Sequence, residues 1–223
     1  MKQPLNFTAE LVPVAYAEAL LDLVAEYGVS RQALFDAARV RPEVLDSPNG
    51  RLSFLDFNQL TYSAQALCGE PALGLVLGQR LNVSAHGILG YAVLSSANLG
   101  KAIQFALKYY RVLGLAYELE LVLDDGRAEL RAVESMPLGA ASVFAAEGLM
   151  ATLYSIACFL VGEPLQDVRV GFAYPPPAHA RRYAEVFGVA AEFEQPWHWL
   201  SMPSEYLERP MALANPATVQ MCE

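Results

Sequence analysis

Apolar residues first recur at helical spacing near the N-terminus, where Val14, Ala17, Leu20, Leu21 and Val24 form one stripe behind Pro13, with Gly28 as a left-handed stop. That pattern predicts a helix over 13–27. A second follows, with Ser30 as its N-cap and Leu34, Phe35 and Ala38 on its buried side. Ser53 caps a third, and a shorter one starts near Pro71, so everything up to Leu81 reads as helical. The strongest helical signal runs from Asn98 to Leu113: Leu99, Ala102, Ile103, Ala106, Leu107, Tyr110 and Leu113 share a stripe, with Lys101, Gln104, Lys108 and Arg111 opposite.

After Gly114 the period changes to alternation. Tyr117, Leu119, Leu121 and Leu123 alternate with Glu118 and Glu120, "DDGR" supplies an Asp-Gly turn, and 128–133 returns, which predicts a β-hairpin. "AASVFAAEGLMATLYSIACFLVG" is apolar on nearly every face and reads as a central buried helix closed by Gly162. A strand at "DVRVGFAY", a helix at "HARRYAEVFG" and short strands near 190–193 and 198–201 complete the chain. The fold class is α+β: a helical N-terminal half, then a small, mostly antiparallel sheet in the order β-β-α-β-α-β-β, packed against helices.

Charge narrows the function classes. The 223 residues carry 15 basic and 24 acidic side chains, net −9, which cannot form the basic face a duplex requires. "AEYGVSRQALFDAARV" has the outline of a helix-turn-helix, but Glu18, Asp22 and Glu26 on its first helix favour an ordinary helical hairpin. The N-terminus lacks the basic and apolar regions of a secretory signal, and no uncharged run approaches the ~18–20 residues that cross a bilayer. Cys68, Cys158 and Cys222 are odd in number and widely spaced, as for reduced thiols; a cytoplasmic protein without a membrane segment is expected.

Catalytic and cofactor motifs are scarce, so no enzyme, metal or cofactor is expected: His86, His179 and His198 have no cysteine or carboxylate at metal-ligand spacing. "HGILGYAVLSSANLGKAI" sets an apolar, glycine-containing run behind His86, whose expected role is to start a helix or bond a polar partner. Glu147, alone in its apolar helix, must be paired, hydrogen-bonded or protonated if buried, either by a ligand group or by a neighbouring tyrosine. Polar groups set in apolar elements give the candidate ligand-binding residues Tyr91, Ser95, Tyr110, Glu147 and Tyr154, with Arg80 or Arg111 available to a carboxylate. Trp197 and Trp199 offer a stacking platform or, more simply, one face of an edge strand packed on a helix.

The ordered landmarks "GEPALGLVLGQRL", "GILGYAVLSSANLGKAIQFALKYYRVLG", "PLQDVRVGFAYPPPAHARRYAEVFG" and "YLERPM" resemble the N-terminal regulatory domain of AraC/XylS-family bacterial transcription regulators, in the subgroup with a helical-first arabinose-binding-like sensor. Trp197, His198 and Trp199 depart from the asparagine-rich or aliphatic segment of such relatives. The resemblance implies a regulatory domain over residues 1–207, helical over 1–114 and sheet-containing over 115–207. Residues 208–223 would begin a linker to a helix-turn-helix DNA-binding domain that this chain does not contain. It further implies that this region binds a small-molecule effector, forms a homodimer, or both, with promoter DNA reached through that further domain and RNA polymerase as a further partner; the apolar surroundings of the candidate residues favour an effector with a hydrophobic body, such as a fatty acid or aromatic metabolite. A ligand-independent interaction domain is the competing expectation.

Overall fold

The computed structural model describes residues 8, 10–46, 50–113 and 116–211. The helices form where periodicity and caps place them. α1 (Val14–Glu26) ends ahead of Gly28, and α2 (Arg31–Ala38) is capped by Ser30, whose Oγ accepts from the Ala33 amide at 3.2 Å. α3 (Phe54–Cys68) starts at Ser53, whose Oγ accepts from the Asp56 amide at 3.0 Å. α4 (Leu73–Arg80) follows, then a 3-10 turn at Val83–His86, α5 (Ile88–Leu94) and α6 (Leu99–Leu113).

The helical half contains a two-stranded ribbon that the pattern did not suggest. β1 (Glu10–Pro13) and β2 (Arg51–Ser53) pair antiparallel, Val12 opposite Leu52, and lead into α1 and α3. At four and three residues, these strands are too short to display a period of two. The outline of a helix-turn-helix in α1 and α2 is a helical hairpin closed by a bidentate ion pair, both Arg31 nitrogens lying 2.9 Å from the Glu18 carboxylate.

The second half is the expected hairpin of β3 (Tyr117–Asp124) and β4 (Arg127–Glu134), extended into one antiparallel sheet of order β3-β4-β6-β5, with β5 at Arg169–Gly171 and β6 at His198–Pro203. Asp125 and Gly126 both take positive φ, the conformation a tight two-residue turn demands. The strand expected near 190–193 does not persist: Glu192 exchanges hydrogen bonds with Phe172 (2.8 Å) and Val170 (2.9 Å), as an isolated parallel bridge beside β5. β6 is therefore an inner strand, and the edge-strand expectation for the tryptophans is corrected. Trp199 lies across Gly171, where a Cβ would stand 2.2 Å from its indole, and Trp197 stacks under the Arg131 guanidinium at 4.5 Å.

α7 (Ser142–Val161) runs between the two halves, with α8 (Arg182–Phe187) beside its middle. Gly139–Val161 is long and apolar enough to cross a bilayer by composition, but here it packs on α4 and the sheet, with Glu147 fully buried. The α4–α7 approach depends on small residues. A Cβ on Gly74 would stand 2.6 Å from the Phe144 carbonyl oxygen, and one on Gly78 would stand 2.5 Å from that of Gly148. One core cluster joins α7 to the sheet and α8 through Phe172, Tyr183, Phe187 and Leu200; another fills the space among α1, α2, α3 and α4 around Leu20, Leu34, Leu60 and Leu73.

Candidate functional site

Between these two packed regions lies a cavity of about 700 Å³. α1 and β1 contribute Val12, Val14 and Tyr16; α3 contributes Phe54 and Phe57; the Val83–His86 turn and α5 contribute His86, Leu89 and Val93. α6 turns Ile103, Ala106 and Tyr110 inward, α7 adds Leu149, Leu153 and Ile156, and the sheet closes the wall with Tyr117, Leu119, Leu130 and Leu200. The volume suits a small organic molecule, and the wall is overwhelmingly hydrocarbon. The α6 stripe and the inward face of β3 and β4 meet residues of α5 and α7 around the cavity. Close contact within that wall is made at Gly90, where a Cβ would overlap the Val83 carbonyl oxygen at 1.9 Å.

Apart from the exposed Arg51, the polar side chains of the described wall are uncharged. The Tyr16 hydroxyl lies 2.7 Å from His86 Nδ1, and the rings meet edge to face at 5.4 Å. Burial pushes the His86 imidazole down to about 4, so the ring is neutral at physiological pH. Burial raises the phenols of Tyr16, Tyr110 and Tyr117 well above the ordinary tyrosine range, keeping each as O–H. A phenol is the stronger acid of this pair and imidazole nitrogen the stronger base, which favours Tyr16 as the donor to Nδ1, with the proton of the neutral ring on Nε2. His86 Nε2 and the Tyr117 hydroxyl are buried and have no hydrogen-bond partner within the protein. Unpaired buried donors are costly and uncommon, and both belong to residues of the cavity wall.

The five residues singled out from sequence are dispersed. Tyr110 lines the cavity. Tyr91 points outward from α5 at 63% exposure, and Ser95 stands half-buried at the end of that helix, outside the wall. Tyr154 meets Phe187 edge to face at 5.5 Å, on the α8 side of α7, where burial pushes its phenol up to about 12. Glu147 also faces α8: its Oε1 accepts from His179 Nε2 at 2.5 Å and from the Tyr183 hydroxyl at 2.6 Å, and Tyr174 donates onward to Tyr183 at 2.9 Å. Burial holds the Glu147 carboxyl above the usual range, against the opposing pull of His179 and Tyr183. The bland expectation for Glu147, a tyrosine partner, is the one that the geometry supplies.

Arg80 is engaged outside the cavity by Glu26, at 2.7 and 2.5 Å, and the Arg111 side chain lies outside the described residues. His86 has the polar partner expected of it, but it also lines the cavity, as do Tyr16 and Tyr117, which the sequence reading passed over. Tyr117 opens the alternating apolar run of the hairpin; Tyr16 flanks the α1 stripe without belonging to it. Among the described residues no three His, Cys, Asp or Glu side chains are grouped to hold a metal ion.

Residues 28–211 match a family model described as the arabinose-binding domain of AraC transcription regulator, N-terminal. An uncharacterized HTH-type transcriptional regulator of Mycobacterium bovis and one of Mycobacterium tuberculosis are each 24% identical over 219 residues, covering 94% of this chain. The chain spans 62% of the length of those relatives. The crystal structure of the transcriptional regulator CdpR from Pseudomonas aeruginosa superposes with a TM-score of 0.63 at 21% identity, over 93% of this chain and 61% of that one.

Proposed function

The chain belongs to the family of N-terminal arabinose-binding domains of AraC transcription regulators, and from that premise we propose that it is the effector-sensing domain of a bacterial regulator, with the 700 Å³ cavity as its ligand site. The single observation that carries this reading is a roomy apolar cavity lined by residues with buried polar atoms that have no partner. A filled interior would suit a ligand-independent interaction domain; this interior is not filled. A free sugar, with a hydroxyl on nearly every carbon, would leave most of its hydrogen bonds unmade against such a wall, so the ligand has a hydrophobic body instead.

Regulation then follows from differential affinity. The wall is built from both halves, so a ligand that favours one spacing of α5 and α6 against the sheet shifts the population of that state. In this proposal residues 1–207 form the regulatory unit, helical over 1–114 and sheet-containing over 115–207, and 208–223 lead toward a DNA-binding region of the kind the longer relatives carry. Promoter DNA is contacted there and not by this acidic chain; homodimerisation and any polymerase contact belong to the whole regulator, acting in the cytoplasm without catalysing a reaction.

Thermal unfolding across a panel of small lipophilic metabolites tests the reading. A ligand at a hundred times its Kd adds about 2.7 kcal/mol, hence a rise of several degrees in Tm. The expected result is such a rise for a chemically related subset, diminished in Ala106→Trp, which places an indole inside the cavity; a panel without effect contradicts it.

A further inference from the structure

The polar inventory of the cavity specifies the ligand more narrowly, on the premise that the cavity is the effector site. Among the described residues lining it, Arg51 is the one charged side chain; it is exposed, and its Nη1 already donates to the Leu11 carbonyl at 2.8 Å. No lysine, aspartate or glutamate belongs to the described wall. Its remaining polar side chains are Tyr16, Asn58, Ser84, His86, Tyr109, Tyr110, Tyr117 and Thr152, all neutral groups, and Thr152 is already spent on the Gly78 carbonyl at 3.1 Å.

A carboxylate moved into this wall would lose its hydration without gaining a buried cation, a cost of several kcal/mol. A hydrocarbon without oxygen would leave His86 Nε2–H and the Tyr117 hydroxyl as unpaired as they are without it. We infer that the cavity takes an uncharged, largely hydrocarbon molecule bearing an accepting oxygen, a ketone, ester or lactone, which receives hydrogen bonds from His86 Nε2 and the Tyr117 hydroxyl. Tyr16 is the positioning residue: by donating to Nδ1 at 2.7 Å it fixes the ring tautomer that makes Nε2 a donor.

Competition for a neutral lipophilic dye, N-phenyl-1-naphthylamine, tests this with the purified chain. At pH 7.5, 2-undecanone is expected to displace the dye at a concentration at least about tenfold lower than undecanoate, which has the same carbon count. His86→Phe and Tyr117→Phe should each weaken the ketone by about tenfold, the equivalent of one hydrogen bond, while displacement by undecane stays within about twofold. The matched pair needs no variant, and Tyr117→Phe is conservative enough to fold if His86→Phe does not. Undecanoate competing as well as the ketone at pH 7.5 overturns the inference and leaves the effector site standing. Ketone affinity unchanged in both phenylalanine variants overturns it as well. A dye that does not bind, or that no competitor displaces, overturns the effector-site reading itself.

Discussion

Tyr16 and His86 come from elements 70 residues apart and meet at 2.7 Å in the wall of the cavity, tying α1 to the turn that leads into α5. Removing the hydroxyl leaves Nδ1 buried without a partner. Tyr16→Phe is therefore expected to lower unfolding stability by about 1–2 kcal/mol, read from urea denaturation at pH 7.5.

The same pair makes stability depend on pH. In the unfolded chain His86 titrates near 6.5; in the folded protein burial lowers it to about 4. The folded state thus binds fewer protons between those values, so the contribution is complete above about pH 6.5 and is lost as the pH falls toward 4. The loss is up to about 3 kcal/mol. Denaturation midpoints from pH 7 to pH 4 should fall less steeply in His86→Phe than in the parent; parallel slopes would remove His86 from the account.

Most of the helices were legible from residue spacing alone, through a buried stripe, a continuous apolar run or a capping residue: Ser30, Ser53 and Gly162 mark ends that the structure confirms. The hairpin was legible from the Asp-Gly turn. The cavity was not. Tyr91 and Ser95 lie in the same apolar run as Leu89, Gly90 and Val93, and only the tilt of α5 decides which of them turn inward. Glu147 was rightly marked as unusual, but its partners His179 and Tyr183 stand 32 and 36 residues away, across a loop whose path no periodicity encodes.

Glu147 gives the third prediction. Glu147→Leu would remove the buried acceptor that Tyr183 and His179 share, leaving the Tyr183 hydroxyl only Tyr174, for a cost of about 3 kcal/mol. Glu147→Gln retains an acceptor for Tyr183 and should cost less. Calorimetric Tm values for the two variants check the order; if this cluster instead served the ligand, dye binding in Glu147→Gln would fall, and it is expected to stay unchanged.

A fourth prediction concerns backbone approach. Gly74→Ala places a methyl 2.6 Å from the Phe144 carbonyl oxygen and 2.8 Å from Glu147 Oε2, so α4 and α7 must separate. The expected destabilisation is about 2–3 kcal/mol by urea denaturation. Gly148→Ala, whose nearest neighbour is the Gly74 carbonyl oxygen at 3.6 Å, should be nearly neutral.

The occupancy of the space between the helical half and the sheet is decided most directly by native mass spectrometry after incubation with excess N-phenyl-1-naphthylamine. The parent chain is predicted to carry one dye per subunit, and Ala106→Trp, with an unchanged circular dichroism spectrum, to carry measurably less. A parent chain without dye, or equal loading of both proteins, would contradict the assignment of this cavity as the ligand site.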